Sequence, residues 1–149
     1  MNLEKLRTMT HTLARDTNGY VFPQDTVDMF INMAIDVLRE YPVFADMKPL
    51  ELATDVPNYL PPRYHYLIAL YASSRCFDMD ERFYEGTEKR NEFEQKLDDL
   101  IADIEAGNIT IYDDEGNEVK NTYIASDEVI DDYFNIETKD SDYIISESD

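Results

Sequence analysis

The chain has 149 residues, of which 43% are hydrophobic and 12% aromatic, which is enough for one packed domain and excludes disorder throughout. Its 33 acidic and 13 basic residues give a net charge of −20, which disfavours ordinary nucleic-acid binding because such a surface repels phosphates. No apolar run approaches the roughly 20 residues needed to span a bilayer. With one cysteine, Cys76, and no apolar signal stretch at the N-terminus, we expect a protein made and kept in a reducing cytoplasm.

The first segment predicts a short amphipathic helix. Its inward face recurs at helical spacing, at Leu3, Leu6, Thr10 and Leu13. Asn18-Gly19 is expected to stop this helix, since both residues tolerate the left-handed conformation of a C-terminal cap. Pro23 and Asp25 then suit the first turn of a new helix, where proline needs no N–H donor and an acid favours the helix dipole.

The second helix is predicted from about Pro23 to Tyr41 and carries two apolar rows. The first row consists of Val27, Phe30, Ile31, Ala34, Leu38 and Tyr41. The second row, Met29, Met33 and Val37, runs beside it at i+4 steps. Two rows indicate a helix buried on two sides, either within the body or between subunits.

The segment 42–61 contains four prolines and predicts a loop with short extended pieces, including a brief strand at Leu50 and Leu52. A third helix is expected to begin at Pro61-Pro62, with an inner face formed by Tyr64, Leu67, Ile68, Tyr71, Ala72 and Arg75. Around 78–87 the chain either breaks, with Gly86 as cap and Thr87 as the next N-cap, or continues as one helix. The last helix has its apolar face at Phe93, Leu97, Leu100, Ile101 and Ile104, and Gly107 ends it.

After Gly107 the pattern changes from helix to strand. Residues 108–112 and 118–120 predict a β-hairpin around an acidic turn. Small apolar clusters then recur among acids, and either belong to a disordered acidic tail or bind one by one in pockets of a partner. The candidate partner-binding residues of this arm are Ile109, Ile111, Tyr112, Tyr123, Ile124, Val129, Ile130, Tyr133, Phe134, Ile136, Tyr143, Ile144 and Ile145.

Charge separates the same two parts of the chain. Residues 1–107 carry 20 acids and 11 bases, whereas residues 108–149 carry 13 acids and only 2 bases. We therefore predict a helical body over 1–107 and a C-terminal hairpin with an acidic partner-binding arm over 108–149. The predicted fold is mainly α, a small bundle of about four helices with a β-hairpin and an extended acidic arm.

Residues that could carry catalysis are sparse in this sequence. His11 and His65 lie far apart, and Cys76 has neither a Cys-x-x-Cys partner nor a nearby histidine in the chain. If one helix carried both His65 and Cys76, eleven residues would separate them by roughly 16 Å. The acidic turn before Gly116 lacks the first aspartate and the bidentate glutamate of a calcium-binding EF-hand loop. We expect a non-enzymatic protein without cofactor or metal.

The order of several short motifs resembles the head-to-tail connector, or adaptor, proteins of tailed bacteriophages. A first helix leads to Asp16-Thr17-Asn18-Gly19, and the next helix contains Phe30-Ile31-Asn32-Met33-Ala34 followed by Leu38. Leu60-Pro61 then opens a helix of the Tyr-x-x-Leu-x-x-x-x-Ala kind, and the final helix ends with residues 100–104 before a glycine. The resemblance covers residues 1 to about 110.

This resemblance implies a structural role in the virion neck, in a protein made in the host bacterial cytoplasm. Adaptors of this family form a ring, commonly of twelve subunits, below the portal protein and around the DNA exit channel. The implied partners are copies of the chain itself, the portal, a tail or stopper protein, and genomic DNA that passes without sequence-specific binding. Acids facing the channel would keep the DNA from sticking. The resemblance also implies a subunit interface at the second row of the second helix, Met29, Met33 and Val37, with Asn32 as a buried or interfacial polar group that needs a hydrogen-bond partner.

An alternative is a soluble acidic inhibitor that mimics DNA and competes for a basic DNA-binding protein. Such a mimic is expected to carry its acids in rows on a rigid surface. In this sequence the acids concentrate after residue 107, which favours the adaptor.

Overall fold

The structure is a computed structural model that describes residues 1–16 and 21–122. In these residues the chain forms four helices: α1 Leu3–Leu13, α2 Gln24–Leu38, α3 Tyr66–Met79 and α4 Phe83–Glu105. Two short antiparallel strands follow, β1 Ile111–Tyr112 and β2 Glu118–Val119, with Ile111 opposite Val119 and Tyr112 opposite Glu118. The predicted mainly α fold of four helices and a hairpin is confirmed.

Helix α3 is the central element, in contact with each of the other three helices. Ten of its 14 residues are buried, including the small Ala69, Ala72, Ser73 and Ser74 that allow neighbouring helices to approach closely. The Ser73 and Ser74 hydroxyls donate hydrogen bonds of 2.8 and 2.6 Å to carbonyls one turn back, so they are buried without loss of partners. The prediction of one inner face was therefore too narrow, because the helix also buries Ala69, Leu70, Ser73, Ser74, Cys76 and Phe77.

The start of the third helix also differs from the prediction. Residues Pro62–Tyr64 form a 3₁₀ turn, and the α-helix begins only at Tyr66. Tyr64 therefore precedes the helix whose inner face it was expected to extend. His65 lies between the two elements and is buried, 1% exposed.

Three helices end with the same left-handed cap. At α1, α3 and α4 the left-handed residue is Arg15 (φ 63°), Glu81 (φ 59°) and Gly107 (φ 81°). At each end the next N–H donates to a carbonyl five residues earlier, as from Asp16 to His11 at 2.7 Å, which is a Schellman motif. The stop predicted at Gly107 is confirmed. Helix α1 ends before Asn18-Gly19, which lie outside the described residues, and α3 and α4 separate at Asp80–Arg82 with Gly86 and Thr87 inside α4.

The loop 42–61 packs on the helices without forming a strand. It begins with a 3₁₀ turn, Pro42–Phe44, whose Val43 and Phe44 are fully buried. Leu50 is 3% exposed, whereas Leu52 is 66% exposed. Leu52 lies in a turn where the Asp55 carboxylate accepts hydrogen bonds from the N–H groups of Glu51 and Leu52. The prediction of a strand at Leu50 and Leu52 is therefore wrong. The alternation of leucines with polar residues arises because Leu50 is buried and Leu52 lies in a solvent-exposed turn.

The hairpin packs against the helices. Ile111 is 1% exposed within the core, and Ile109 and Val119 pack on that core while partly buried. The side chain of Asn121 accepts a 3.3 Å hydrogen bond from the Val43 N–H and donates one of 3.1 Å to Glu105. The hairpin as far as residue 122 therefore belongs to the packed body, and residues 123–149 of the predicted arm lie outside the described part.

Candidate partner-binding surfaces

The second row of α2, here called the α2 row, changes from exposed to half-buried along the helix. Met29 is 54% exposed, whereas Met33 and Val37 pack against the core on one side and face solvent on the other. The first predicted row is buried as expected from Val27 to Leu38, together with Ile35, which the sequence reading missed. The structure thus leaves the α2 row as an accessible apolar strip on a helix whose other side lies in the core.

Asn32 does not share the surface of the α2 row. Its side chain accepts from the Leu50 N–H at 2.7 Å and donates to the Leu50 carbonyl at 2.9 Å, so it pairs with that residue much as a neighbouring strand would. This pairing holds Leu50 in the core. The hydrogen-bond partner that Asn32 needs therefore comes from the chain's own loop, so its side chain does not depend on a neighbouring subunit for one.

A groove lies between α2 and α4, next to the end of the α2 row. This α2–α4 groove has a volume of about 430 Å³ and is lined by Val37, Glu40, Tyr41, Tyr71, Arg90, Phe93, Glu94, Leu97 and Asp98. Tyr71 and Phe93 meet edge to face at 5.2 Å between ring centres, which fixes both rings. The α2 row is therefore continuous with an aromatic groove that the sequence did not predict.

The charge of the α2–α4 groove is mostly negative. Burial raises the pKa of the Tyr41 hydroxyl, and the carboxylates of Asp98, Glu40 and Glu94 raise it further by disfavouring the phenolate. Arg90 contributes the positive charge, but its guanidinium donates to Asp78 at 2.7 Å. Three carboxylates thus act on one tyrosine at the edge of an aromatic depression.

A second apolar surface lies at the turn between α3 and α4. Met79, Phe83 and Tyr84 are 58%, 61% and 75% exposed there, and we call them the α3–α4 tip. Next to the tip, Arg82 lies over the Phe77 ring at 5.2 Å and donates to Glu85 at 2.7 Å. This surface was not predicted, because the sequence does not fix where the helix breaks between residues 78 and 87.

The predicted binding residues of the hairpin divide into buried and exposed ones. Ile111 is part of the core and Ile109 packs on it, so neither presents a free apolar face, whereas Tyr112 is 56% exposed. The hairpin turn is organised by the Asp113 carboxylate, which accepts from two N–H groups of the turn at 2.9 and 2.8 Å. Tyr112 is therefore the accessible member of the predicted set here, and the members from Tyr123 to Ile145 lie outside the described residues.

The titratable groups with the deepest burial serve the fold. Burial raises the pKa of the Cys76 thiol to about 12, so it is protonated at neutral pH. Burial also lowers the pKa of His65, whose Nε2–H donates to the Leu60 carbonyl at 2.8 Å while Nδ1 accepts from the Met1 amino group at 2.8 Å. Both side chains are occupied by packing or hydrogen bonds within the body.

Asp16 organises the start of the segment that leads into α2. Its carboxylate accepts from the N–H groups of Val21 at 3.2 Å and Phe22 at 3.0 Å, and lies 3.1 Å from the His11 ring. Burial alone would raise the pKa of Asp16, but these hydrogen bonds outweigh it and lower the pKa. The first residue of the Asp-x-x-Gly motif therefore joins the end of α1 to the approach to α2.

Within residues 1–16 and 21–122, no three side chains of histidine, cysteine, aspartate or glutamate come together as metal ligands. Across the same residues, no helix combines the length and apolarity needed to traverse a bilayer. Comparisons of the chain with protein-family models, with curated proteins and with solved structures find no match.

Proposed function

We propose that the chain is a structural subunit of a phage head-tail connector ring, which joins the portal to the tail and lines the DNA exit channel in the virion neck. The observation that carries the proposal is the placement of accessible apolar surfaces at both ends of α4. The α3–α4 tip lies at its N-terminal end, and the hairpin with Tyr112 packs near its C-terminal end. Because α4 rises about 1.5 Å per residue, these ends are about 33 Å apart.

This separation supports a role in joining two partners. A subunit that lies between a portal above and a tail or stopper protein below needs one contact surface at each end. Exposed aromatic side chains are the type most enriched at such interfaces, and Phe83, Tyr84 and Tyr112 provide them here. A single-partner protein needs only one such surface.

The α2 row supports the ring. It is an accessible apolar strip distinct from the α3–α4 tip and from Tyr112, so it remains available for a contact between neighbouring copies. A ring requires heterologous contacts, in which this strip on one copy meets a different surface on the next. The repeated negative charge opposes ring closure and favours basic surfaces on the portal or tail.

Native mass spectrometry of the full chain, alone and with a candidate portal, tests this proposal. We expect closed oligomers or a portal-bound ring, with weaker assembly for Met29→Ser because the α2 row loses its exposed apolar side chain. Leu52→Ser is the matched control, since Leu52 is also exposed but lies outside the three surfaces. A chain that stays monomeric at high concentration and does not bind portal would overturn the proposal.

A second candidate, the acidic DNA mimic, is favoured by one observation on α4. This rigid helix carries eight acids over about 30 Å, or one per roughly 4 Å, against one phosphate per about 3.4 Å along a DNA strand. Three basic residues on the same helix lower this density, which weakens the likeness to DNA. The acids of α4 are Glu85, Glu88, Glu92, Glu94, Asp98, Asp99, Asp103 and Glu105.

Competition distinguishes the mimic from the adaptor. A mimic displaces a fluorescently labelled 20-base-pair duplex from a basic nucleoid protein as a monomer, and loses this ability when Glu88 and Glu92 are replaced by glutamine. An adaptor leaves the duplex bound at the same protein concentration and instead forms oligomers or binds portal.

A further inference from the structure

We propose that the α2–α4 groove binds a lysine or arginine side chain of a partner protein. The inference names the chemistry of a partner, and it rests on the proposed assembly role for its biological setting. The groove itself can be tested without that role.

The walls of the groove suit the apolar stem of a long cationic side chain. Val37 and Tyr41 of the α2 side face Phe93 and Leu97 of α4, with Tyr71 of α3 between them. Tyr71 and Phe93 hold each other edge to face, so the depression exists before a partner arrives. Lysine and arginine pack their methylene stems on such surfaces and keep the charged end at the rim.

The rim of the groove suits the charged end. Glu94 and Asp98 lie one turn apart on α4 at the groove, and neither forms an ion pair within the described residues. Both line the groove together with Tyr41, Tyr71 and Phe93, and both raise the pKa of the Tyr41 hydroxyl. A cation at this rim meets two carboxylates beside aromatic side chains, and this combination binds ammonium and guanidinium groups.

The one cation of the groove does not neutralise it. Arg90 is engaged with Asp78 through a 2.7 Å hydrogen bond, with the two side chains 30% and 21% exposed. Glu94 and Asp98 remain at the rim as the two carboxylates without an ion pair within residues 1–16 and 21–122. The groove therefore retains a negative field that attracts a further positive group.

The same charge argues against two other occupants. The segment 123–149 of another copy has nine acids and one base, so its approach brings like charges together. A wholly apolar segment would bury its contact surface next to carboxylates that need water or a counter-charge. A basic side chain on a partner satisfies both the aromatic wall and the acidic rim.

Titration of the ¹⁵N-labelled full chain by NMR tests the inference. N-acetyl-lysine methylamide and N-acetyl-arginine methylamide are the probes, and N-acetyl-norleucine methylamide is the uncharged probe of similar length. We expect saturable shifts of amide signals at Val37, Tyr41, Glu94 and Asp98 with the cationic probes, and smaller shifts in 0.5 M salt. The norleucine probe should leave these signals near their starting positions.

Two double variants distinguish binding of the cation at the groove rim from a general effect of the net charge. Glu94→Gln with Asp98→Asn should raise the lysine midpoint by about fivefold, as expected for the loss of two solvent-exposed charge contacts. Glu92→Gln with Asp99→Asn removes the same charge from the opposite, exposed flank of α4 and should change the midpoint little. Unchanged variant spectra elsewhere confirm that both chains fold.

Equal shifts from the norleucine probe would show an apolar site only and overturn the inference. If the variant at Glu92 and Asp99 weakens lysine binding as much as the variant at Glu94 and Asp98, binding depends only on net charge. That result would also overturn the inference. If the groove binds the cationic probes as expected but the chain never assembles with portal, the proposed connector function is refuted. The proposal of a cation-binding groove is then retained.

Discussion

Replacing Gly86 by alanine tests how closely α3 and α4 pack. Gly86 lies inside α4 and is buried, and a Cβ there would overlap Oδ1 of Asp78 and lie 3.0 Å from the Ser74 carbonyl oxygen. Asp78 cannot move away freely, because its Oδ2 accepts from Arg90 at 2.7 Å. Its Oδ1 is buried and has no hydrogen-bond partner within the described residues, so the carboxylate is enclosed at the site where the methyl group would enter.

The effect of Gly86→Ala on the free energy of unfolding combines one favourable and two unfavourable contributions. Alanine is the better helix former by about 1 kcal/mol in a helix interior, which favours the variant. Forcing a methyl group into a packed contact costs about 1–3 kcal/mol. Disturbing the partly buried Asp78–Arg90 pair adds up to about 1 kcal/mol. We therefore expect a net loss of about 2 kcal/mol, or roughly 5 °C in Tm for a chain of this size.

Urea and thermal unfolding followed by circular dichroism measure this loss. Thr87→Ala is the matched control, because Thr87 is exposed at the next position of α4 and gains only helix propensity. In an Asp78→Ala background the carboxylate is gone, so Gly86→Ala should cost clearly less than in the parent. A Gly86→Ala chain as stable as the parent would refute the close helix contact.

Two further predictions concern polar anchors of the body. Asn32→Ala should lower the free energy of unfolding by about 2 kcal/mol in urea, because the buried Leu50 N–H and carbonyl lose their partners; an unchanged value would mean that water replaces them. The pKa of Asp16 is lower in the folded chain than its usual 3.8, so its stabilisation is present above that value and is lost as the pH falls through the folded pKa. Asp16→Asn should therefore lower Tm at pH 6 and reduce its further decline below pH 4, and parallel Tm curves for variant and parent would contradict this.

The helices whose buried residues recur at helical spacing could be predicted from the sequence. The buried faces of α2 and α4 follow from apolar residues at helical spacing, because one side of each helix lies on the core and the other in water. The same logic fails for α3, whose neighbours surround it. A helix packed on nearly all sides shows no clear polar stripe, so the buried positions of Ala69, Ser73 and Ser74 could not be recognised from helical spacing.

Helix ends and functional surfaces were less predictable for a different reason. Two of the three left-handed caps are Arg15 and Glu81, where sequence rules look for glycine or asparagine. Without the break at Glu81, the exposure of the α3–α4 tip could not be deduced. Likewise, neighbouring residues of a strand point to opposite faces, but Ile111 and Tyr112 were both predicted to bind a partner, and only the packed structure decides which of them meets the core.

Truncation distinguishes the packed hairpin from the segment that follows it. Removal of residues after Thr122 leaves every described core contact in place, so we expect parent-like unfolding but loss of portal binding if residues 123–149 contain the partner anchors. Removal after Gly107 also deletes Ile111, which is 1% exposed, and should cost about 1.5–3 kcal/mol from that side chain alone. Thermal unfolding and portal co-sedimentation of both truncated chains measure the two effects separately. If the chain ending at Thr122 still binds portal like the parent, the anchors lie in the body, and the α3–α4 tip and Tyr112 become the contacts to test.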